Sequence, residues 1–95
     1  MKAFRWDPGK SDLLKRKRGV SFEDILLLGA LIDDRRHPTR PHQNVLLFEL
    51  DGYVWLAPYV ENDQEIFLKT LYPSRKHTRL YLEGRIQNEN TPEDF

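Results

Sequence analysis

Residues 44–72 read NVLLFELDGYVWLAPYVENDQEIFLKTLY, and this stretch decides the fold. Apolar and aromatic side chains fill it, and polar turn segments divide it into runs of the length that strands have. Asp51-Gly52 indicates a two-residue hairpin, because both central residues of a type I′ turn need a positive φ. We therefore predict an antiparallel meander with one face packed on helices. Its three strands cover residues 44–50, 53–60 and 65–72.

Capping residues upstream of the meander predict two helices. Asp7 is a preferred N-cap and Pro8 suits the first helical position, so a helix follows a short strand at residues 3–6. This helix ends near Gly19, which suits a left-handed C-cap. Ser21, with an acidic residue three positions later, begins a second helix. The apolar face predicted for the second helix consists of Ile25, Leu26 and Leu28.

The remaining chain supplies a third helix and two polar segments. Residues 33–43 contain two prolines and lack periodicity, so we predict a long loop there. Ser74 is the predicted N-cap of a C-terminal helix. Together the elements predict an α+β fold, with an antiparallel sheet of about four strands, two N-terminal helices and one C-terminal helix. Residues 1–84 form a single domain, and the polar, acidic residues 85–95 form a flexible tail.

The composition excludes several classes of protein. The chain has 95 residues and no cysteine, so it holds neither disulfides nor thiolate metal sites. No apolar run approaches the ~20 residues that span a membrane, and the N-terminus lacks the apolar core of a secretory signal. We therefore expect a cytoplasmic protein without a membrane partner. No phosphate-binding loop, dinucleotide fingerprint or nucleophile elbow is present, which argues against an ATPase, a dehydrogenase and a common hydrolase.

Charge is distributed unevenly along the chain, although the formal net charge is +0. Residues 1–20 and 66–86 are basic, whereas residues 49–65 and 87–95 are acidic. If the two basic segments share one face, that face attracts phosphate while the whole molecule stays neutral. The alternative is that both segments are solvated faces of helices.

The third helix opens with an unusual run of cations. Cations in a first turn oppose the helix dipole at a cost of ~0.3–1 kcal/mol each, so a helix selected only for stability would have acids there. Arg75 and Lys76 together with free backbone N–H groups instead make an anion site. Arg79 lies on the same helix face as Arg75, and Lys69 on the adjoining strand could support them. This pattern predicts a phosphate clamp. The alternative is an exposed basic helix beside an edge-strand lysine that opposes aggregation.

Histidine and tyrosine supply the candidate groups for proton transfer. The three histidines, His37, His42 and His77, match no metal-ligand spacing, so we expect no metal and no other cofactor. Histidine titrates near neutral pH, and His37, which lies among arginines in the predicted loop, is the best candidate for a general acid or base. Tyr81 on the third helix either packs on the sheet or stacks on a base.

Three segments in order resemble the BrnT toxin family. They are FRWD at residues 4–7, GVSFE at 19–23 and KTLYPSRKHTR at 69–79, with a basic helix between the first two. The resemblance covers residues 3–82. Two positions and one segment depart from the family pattern. Arg18 stands where members often have histidine, His77 stands where they often have alanine, and the loop at residues 33–43 is divergent.

This resemblance implies a RelE-like fold and the toxin of a type II toxin–antitoxin system. Such a toxin is a metal-independent endoribonuclease that cleaves mRNA and arrests growth. A cognate antitoxin folds over it and silences it, often in a complex of two toxins and two antitoxins. The toxin then reaches operator DNA only through the antitoxin.

Cleaving RNA without a metal requires activation of a ribose 2′-OH, stabilisation of a phosphorane and protonation of the leaving oxygen. We predict that Arg75 and Lys76 stabilise the phosphorane and that Lys69 supports them. The candidates for proton transfer are His37, His77 and Tyr81. The predicted contacts to the RNA backbone come from Arg79, Lys15, Arg16, Lys17 and Arg18.

Two alternative functions fit the same sequence. A non-catalytic RNA- or ribosome-binding module would use the same basic residues, bind RNA with a steep salt dependence and leave it uncut. A protein-interaction domain would instead use the acidic residues 49–65 and would have no affinity for RNA.

Overall fold

The computed structural model describes residues 2–40 and 43–86, which form three helices and six strands. The α+β class predicted from the sequence is confirmed. In chain order the elements are β1 (Ala3–Arg5), α1 (Pro8–Arg18), α2 (Phe22–Leu28), β2 (Ala30–Arg35), β3 (Asn44–Leu50), β4 (Tyr53–Glu61), β5 (Glu65–Leu68), β6 (Tyr72–Pro73) and α3 (Arg75–Leu82).

The strands join one mixed sheet. Its order is β1-β5-β4-β3-β2, and β6 also pairs with β4. β1 and β5 are parallel, and the other pairs are antiparallel. The prediction of about four antiparallel strands is therefore wrong in number and in one pairing. The three-residue β1 carries no local signal for its partner, because Ala3 pairs with Glu65, far along the chain.

Strand β2 occupies part of the segment predicted as a loop over residues 33–43. The charged stretch from Asp33 to Arg35 pairs with β3 through the backbone. Because β2 lies at the edge of the sheet, charged side chains are compatible with strand structure there. The loop prediction is therefore wrong for these residues. His42 lies outside the described residues.

The predicted third strand ends earlier than expected. β5 stops at Leu68, and three residues lead from it to β6, where Tyr72 pairs with Leu56. Lys69 lies past the end of β5, although its backbone N–H still donates to the Pro58 carbonyl at 2.8 Å. This break carries the chain from the sheet to the start of α3.

The local capping motifs form as predicted. The Asp7 carboxylate accepts a hydrogen bond from the first turn of α1 at 3.0 Å. Gly19 ends α1 in the left-handed region with φ 80°. Ser21 begins α2 with a reciprocal capping box. Asp51 and Gly52 have φ values of 54° and 81°, as the predicted hairpin requires.

Helices cover both faces of the sheet, whereas the sequence predicted helices on one face. Along β4, Trp55, Ala57 and Tyr59 belong to a buried cluster with α1 and α2, and Val54 and Leu56 belong to a second cluster with α3. We call these two sides the α1–α2 face and the α3 face. The basic residues of α1 and those of α3 therefore lie on opposite sides of the sheet.

The ends of the apolar core differ in detail from the prediction. In α2, Ile25 is fully buried and Leu26 is half-buried, but Leu28 is 71% exposed. Ile86 is fully buried in the cluster on the α3 face, so the packed body extends past the predicted boundary at residue 84. The rest of the predicted tail, residues 87–95, lies outside the described residues. Within the described part of the chain, no helix is both long enough and apolar enough to cross a membrane.

Candidate functional site

A cleft of about 420 Å³ opens on the α3 face, between the sheet and the first turn of α3. Strands β3 and β4 give it an apolar surface, since Val45 pairs with Pro58 and Leu56 pairs with Tyr72. The remaining lining residues are polar or charged. They are Gln43, Asn44, Ser74, Lys76 and His77.

One backbone N–H and one hydroxyl group connect the first turn of α3 to the middle of the sheet. The Ser74 N–H donates to the Val54 carbonyl at 2.9 Å, and the Val54 N–H donates to Thr78 Oγ1 at 2.8 Å. The Thr78 hydroxyl in turn donates to the Ser74 carbonyl at 2.6 Å. Both backbone groups of Val54 are thereby bound by α3. The position of this first turn relative to the cleft is fixed by β4 rather than by the flanking loop.

His77 is buried beside the helix N-cap. Ser74 Oγ accepts a hydrogen bond from the His77 N–H at 3.1 Å and lies 2.7 Å from His77 Nδ1. A serine hydroxyl has one donor and two acceptor positions, so it can donate to Nδ1 or accept from it. The pair therefore accommodates both the neutral and the protonated imidazole while the ring keeps its place in the cleft wall.

The cations of α3 are exposed and have no protein partner in the described residues. Arg75, Lys76 and Arg79 make no hydrogen bond or ion pair with other described side chains. Several cations elsewhere are paired, as in the contact of 2.8 Å between Lys15 and Asp24 and that of 2.7 Å between Arg36 and Glu61. The positive charge of α3 is therefore available to a ligand.

His37 holds the loop that precedes β3. Its Nδ1 accepts from the N–H groups of Thr39 at 3.2 Å and Arg40 at 3.1 Å, so this nitrogen carries no proton. Its backbone N–H donates to Asn44 Oδ1 at 3.0 Å, and Asn44 lines the cleft. In this arrangement Nε2 carries the proton of the neutral ring. The geometry gives His37 a positioning role next to the cleft, and its role as a general acid or base stays a prediction.

Other predicted catalytic residues lie apart from the cleft lining. Tyr81 is half-buried and packs on the apolar cluster of the α3 face, which is the packing alternative. Lys69 is exposed and neighbours the cleft through its backbone contact with Pro58. Of the six predicted catalytic residues, Lys76 and His77 line the cleft, and Arg75 stands next to Lys76.

The basic residues of α1 are divided between structural contacts and solvent. Lys15 pairs with Asp24, and Arg18 donates to the Leu71 carbonyl. Arg16 and Lys17 are exposed and have no ion pair with another described residue. Since α1 covers the opposite side of the sheet, the fold does not bring these four residues to the cleft.

A second polar cluster, on the α1–α2 face, was missed from the sequence. The Tyr59 hydroxyl donates to Asp34 at 2.6 Å, and the Arg36 guanidinium lies 5.8 Å from the centre of the Tyr59 ring. Burial, then the hydrogen bond with Asp34, raise the pKa of Tyr59 well above its usual range. Arg36 also pairs with Glu61, to which Lys2 donates at 3.0 Å. This cluster joins β2, β4 and the N-terminal segment, so we assign it to the fold.

The acidic residues 49–65 are partly used within the protein. Glu61 pairs with Arg36 and Lys2, and Glu65 lies 3.9 Å from Arg5. These contacts reduce the free negative charge that a protein-interaction surface on this segment would need. Within residues 2–40 and 43–86, no group of three or more histidine, aspartate or glutamate side chains is arranged to hold a metal ion.

Of the groups that line the cleft, the sequence singled out Lys76, His77 and the Ser74 cap. Asn44 and Tyr72 were not recognised as site residues. Their only sequence signal is a polar residue at the start of an apolar strand and an aromatic residue just before the capping serine. No protein-family model matches the chain, and neither a curated protein nor a solved structure matches it significantly, so the cleft and its charges are the basis for a functional assignment.

Proposed function

We propose that the protein is the toxin of a type II toxin–antitoxin system, a metal-independent ribonuclease with a RelE-like fold, as its resemblance to the BrnT family implies. One observation carries the proposal. An apolar cleft has Lys76 and His77 in its lining, and the unpaired cations Arg75 and Arg79 lie on the same helix. Apolar surface beside unpaired cations suits a ligand that has both bases and phosphates.

The reaction consistent with these groups is an internal transfer of the phosphodiester. The ribose 2′-oxygen forms a bond to phosphorus while the bond to the 5′-oxygen breaks, leaving a 2′,3′-cyclic phosphate and a 5′-hydroxyl. One proton leaves the 2′-OH and one reaches the 5′-oxygen. His77 is suited to move a proton, because Ser74 accommodates both protonation states of its ring. Lys76 and Arg75 would stabilise the negative charge that grows on the phosphorane.

Expression in a bacterial host tests this proposal. We expect growth arrest and new RNA ends by primer extension, and loss of both with Arg75→Ala or Lys76→Ala. Arg5→Ala is the matched control, because it also removes one exposed cation but from β1 at the far edge of the sheet. Arrest that persists in folded Arg75→Ala and Lys76→Ala proteins would refute the assigned site.

The non-catalytic RNA-binding module is the second candidate, and the unpaired cations of α3 favour it equally. The two functions differ in product. The purified protein is incubated with single-stranded RNA, and the ends are examined for 2′,3′-cyclic phosphate. Binding without new ends would select the module, and cyclic ends that disappear with His77→Ala would select the ribonuclease.

A protein partner is the further part of the proposal. Leu27, Leu28 and Leu31 are 82%, 71% and 55% exposed. The first two end α2, and Leu31 lies in β2, an edge strand of the sheet formed by the described residues. Exposed apolar side chains at an unpaired strand edge favour contact with another chain. We propose that the antitoxin covers this surface in a complex of two toxins and two antitoxins. Co-purification with the product of a neighbouring short gene should give a complex with the mass of two toxins and two antitoxins. Leu28→Asp should weaken this complex while leaving the toxin folded.

A further inference from the structure

We infer that the cleft is a base-binding subsite, which takes one unstacked base of a single-stranded RNA against Tyr72 while the adjoining phosphate lies on Lys76 and Arg75. This inference rests on the proposed function and names its substrate class. A basic helix alone would bind any nucleic acid backbone, whereas an apolar cleft beside it selects RNA whose bases are free.

The polarity of the cleft favours a base over a phosphate or a peptide. Its inner surface is built from Val45, Leu56 and Pro58, whose side chains cannot form hydrogen bonds or ion pairs with a charged group. Its volume of about 420 Å³ falls in the range of about 300–1,000 Å³ that small-molecule sites have. The cations stand at the α3 side of this apolar surface, which matches the layout of a nucleotide with an apolar base and a charged phosphate.

Tyr72 is suited to be the stacking platform. It is 37% exposed, so part of its ring surface is open to a ligand. Its backbone is held in β6 by the pairing with Leu56, and Pro73 restricts the chain directly after it. An aromatic ring held by a rigid backbone binds a base with little loss of conformational entropy.

Asn44 supplies a group that can read the edge of the base. It is 4% exposed and lines the cleft. Because its Oδ1 accepts from the His37 N–H, the orientation of the amide is fixed and Nδ2 is the group with hydrogen atoms to donate. Among the described residues, Nδ2 has no hydrogen-bond partner. A carbonyl oxygen or ring nitrogen of a base can accept from it.

A duplex cannot satisfy this site, because a paired base is stacked and its edge is occupied. The experiment therefore uses a short single-stranded RNA with 2′-O-methyl groups, which block cleavage, and the same oligomer with one abasic sugar at each position in turn. Binding is measured by calorimetry for the wild type, Tyr72→Ala, Tyr72→Phe and Arg5→Ala. A blunt duplex of the same sequence is the further comparison.

We expect Tyr72→Ala to weaken binding by about tenfold or more, in line with the loss of one stacked base, and Tyr72→Phe to retain most of the affinity. An abasic sugar at one position should lower the affinity of the wild type by the same factor but lower that of Tyr72→Ala only slightly. The missing base and the missing tyrosine ring remove the same contact. Undiminished binding by folded Tyr72→Ala, or an abasic penalty that persists in that variant, would overturn the inference.

Cleavage of unmodified RNA is scored separately, so the two proposals can fail independently. RNA that is cut equally well by the wild type and by Tyr72→Ala would leave the ribonuclease standing and remove the base subsite. RNA that is held through Tyr72 but not cut would support the subsite and remove the ribonuclease. Equal affinity for the duplex and the single strand would also overturn the subsite.

Discussion

A single serine side chain connects α1 and α2 through two hydrogen bonds. Ser11 is 1% exposed, its Oγ accepts from the Phe22 N–H at 3.1 Å, and its hydroxyl donates to the Glu23 carboxylate at 2.5 Å. The Ser11 hydrogen bond is the main cause of the lowered pKa of Glu23. One hydroxyl thereby joins α1 to the first turn of α2.

Ser11→Ala should lower the free energy of unfolding by about 1–3 kcal/mol, because the Phe22 N–H would be left buried without an acceptor. Urea denaturation followed by circular dichroism measures the change. Asp12→Ala, at the exposed neighbouring position, is the control and should change stability by no more than about 0.5 kcal/mol. Equal effects of the two substitutions would contradict the assigned role of the hydroxyl.

Glu61 makes the stability of the protein depend on pH. Its hydrogen bond with Arg36, and then that with Lys2, hold its pKa below the usual value of 4.5. A carboxyl whose folded-state pKa is lowered stabilises the fold above its unfolded-state pKa and loses this contribution as the pH falls through the folded-state pKa. Denaturation at about pH 7 and about pH 4 should therefore show a loss on acidification that is smaller in Glu61→Gln. An unchanged pH dependence in Glu61→Gln would show that the ion pairs with Arg36 and Lys2 contribute nothing.

Arg35 has a buried guanidinium group that is only partly hydrogen-bonded, which destabilises the fold. It is 3% exposed, its Nε donates to Asp33 at 2.9 Å, and neither terminal nitrogen has a hydrogen-bond partner among the described residues. Arg35→Met should destabilise the protein by about 3–5 kcal/mol, since the Asp33 carboxylate, whose side chain is 9% exposed, would lose its partner. The double variant Asp33→Asn/Arg35→Met should recover most of that loss, and a double variant as unstable as the single one would refute this account.

At the scale of elements, α3 combines a strained charge pattern with strong anchoring. Its first-turn cations oppose the helix dipole, yet Ser74 and Thr78 bind both backbone groups of Val54. These hydrogen bonds hold α3 in place, although its first-turn cations destabilise the N-terminal end of the helix. Thr78 is the residue through which this positioning can be tested without touching the cleft.

If the protein cleaves RNA as proposed, Thr78→Val should lower the cleavage rate by a larger factor than its loss of folded protein accounts for. The valine keeps the shape but removes the acceptor for the Val54 N–H, at a cost of about 1–3 kcal/mol in unfolding free energy. Displacement of the first turn by about 1 Å can lower a reaction rate by about a hundredfold. Cleavage rates and melting curves of the same preparations give the comparison. A rate that stays at the wild-type value would show that α3 needs no anchoring for function.

Elements defined by local chemistry could be predicted, and those defined by distant partners could not. Asp7, Gly19, Ser21 and the Asp51-Gly52 turn act on neighbours within a few residues, so the sequence contains their whole cause. β1 and β2 depend on strands elsewhere in the chain for their hydrogen bonds. The cleft lies between these cases, because its α3 wall is local and its Asn44 and Tyr72 walls are brought together only by the sheet.

At the scale of the whole molecule, the two basic segments are separated by the sheet. The sequence did contain a signal for a sheet covered on both faces, because Val45 to Phe48 is a continuous apolar run and is buried throughout. The charge pattern alone could not predict that the two basic segments lie on opposite sides of the sheet. Successive side chains of a strand point to opposite faces of the sheet. Helices that pack on the two faces are therefore separated by the sheet, and so are their charged residues.

For the proposed RNA ligand, this separation predicts how the binding affinity responds to salt concentration. Arg79→Ala should reduce the slope of log affinity against log salt concentration by about one, as expected for the loss of one phosphate contact. Lys17→Ala on α1 should leave the slope unchanged, although the sequence alone assigned it to the RNA contact. Titrations at several salt concentrations measure both slopes. Equal reductions would mean that RNA reaches around the edge of the sheet.

The parallel pairing of β1 with β5 has a consequence for the time at which the protein becomes complete. Ala3, Phe4 and Arg5 precede their partners Glu65, Ile66 and Phe67 by a long stretch of chain, so the ribosome makes β1 well before β5. Synthesis proceeds at about 5–20 residues per second, so the first strand waits several seconds for its neighbour. β1 cannot close the sheet edge until β5 has left the exit tunnel. The edge of the sheet that β1 occupies therefore stays open while the helices and strands between β1 and β5 are being made.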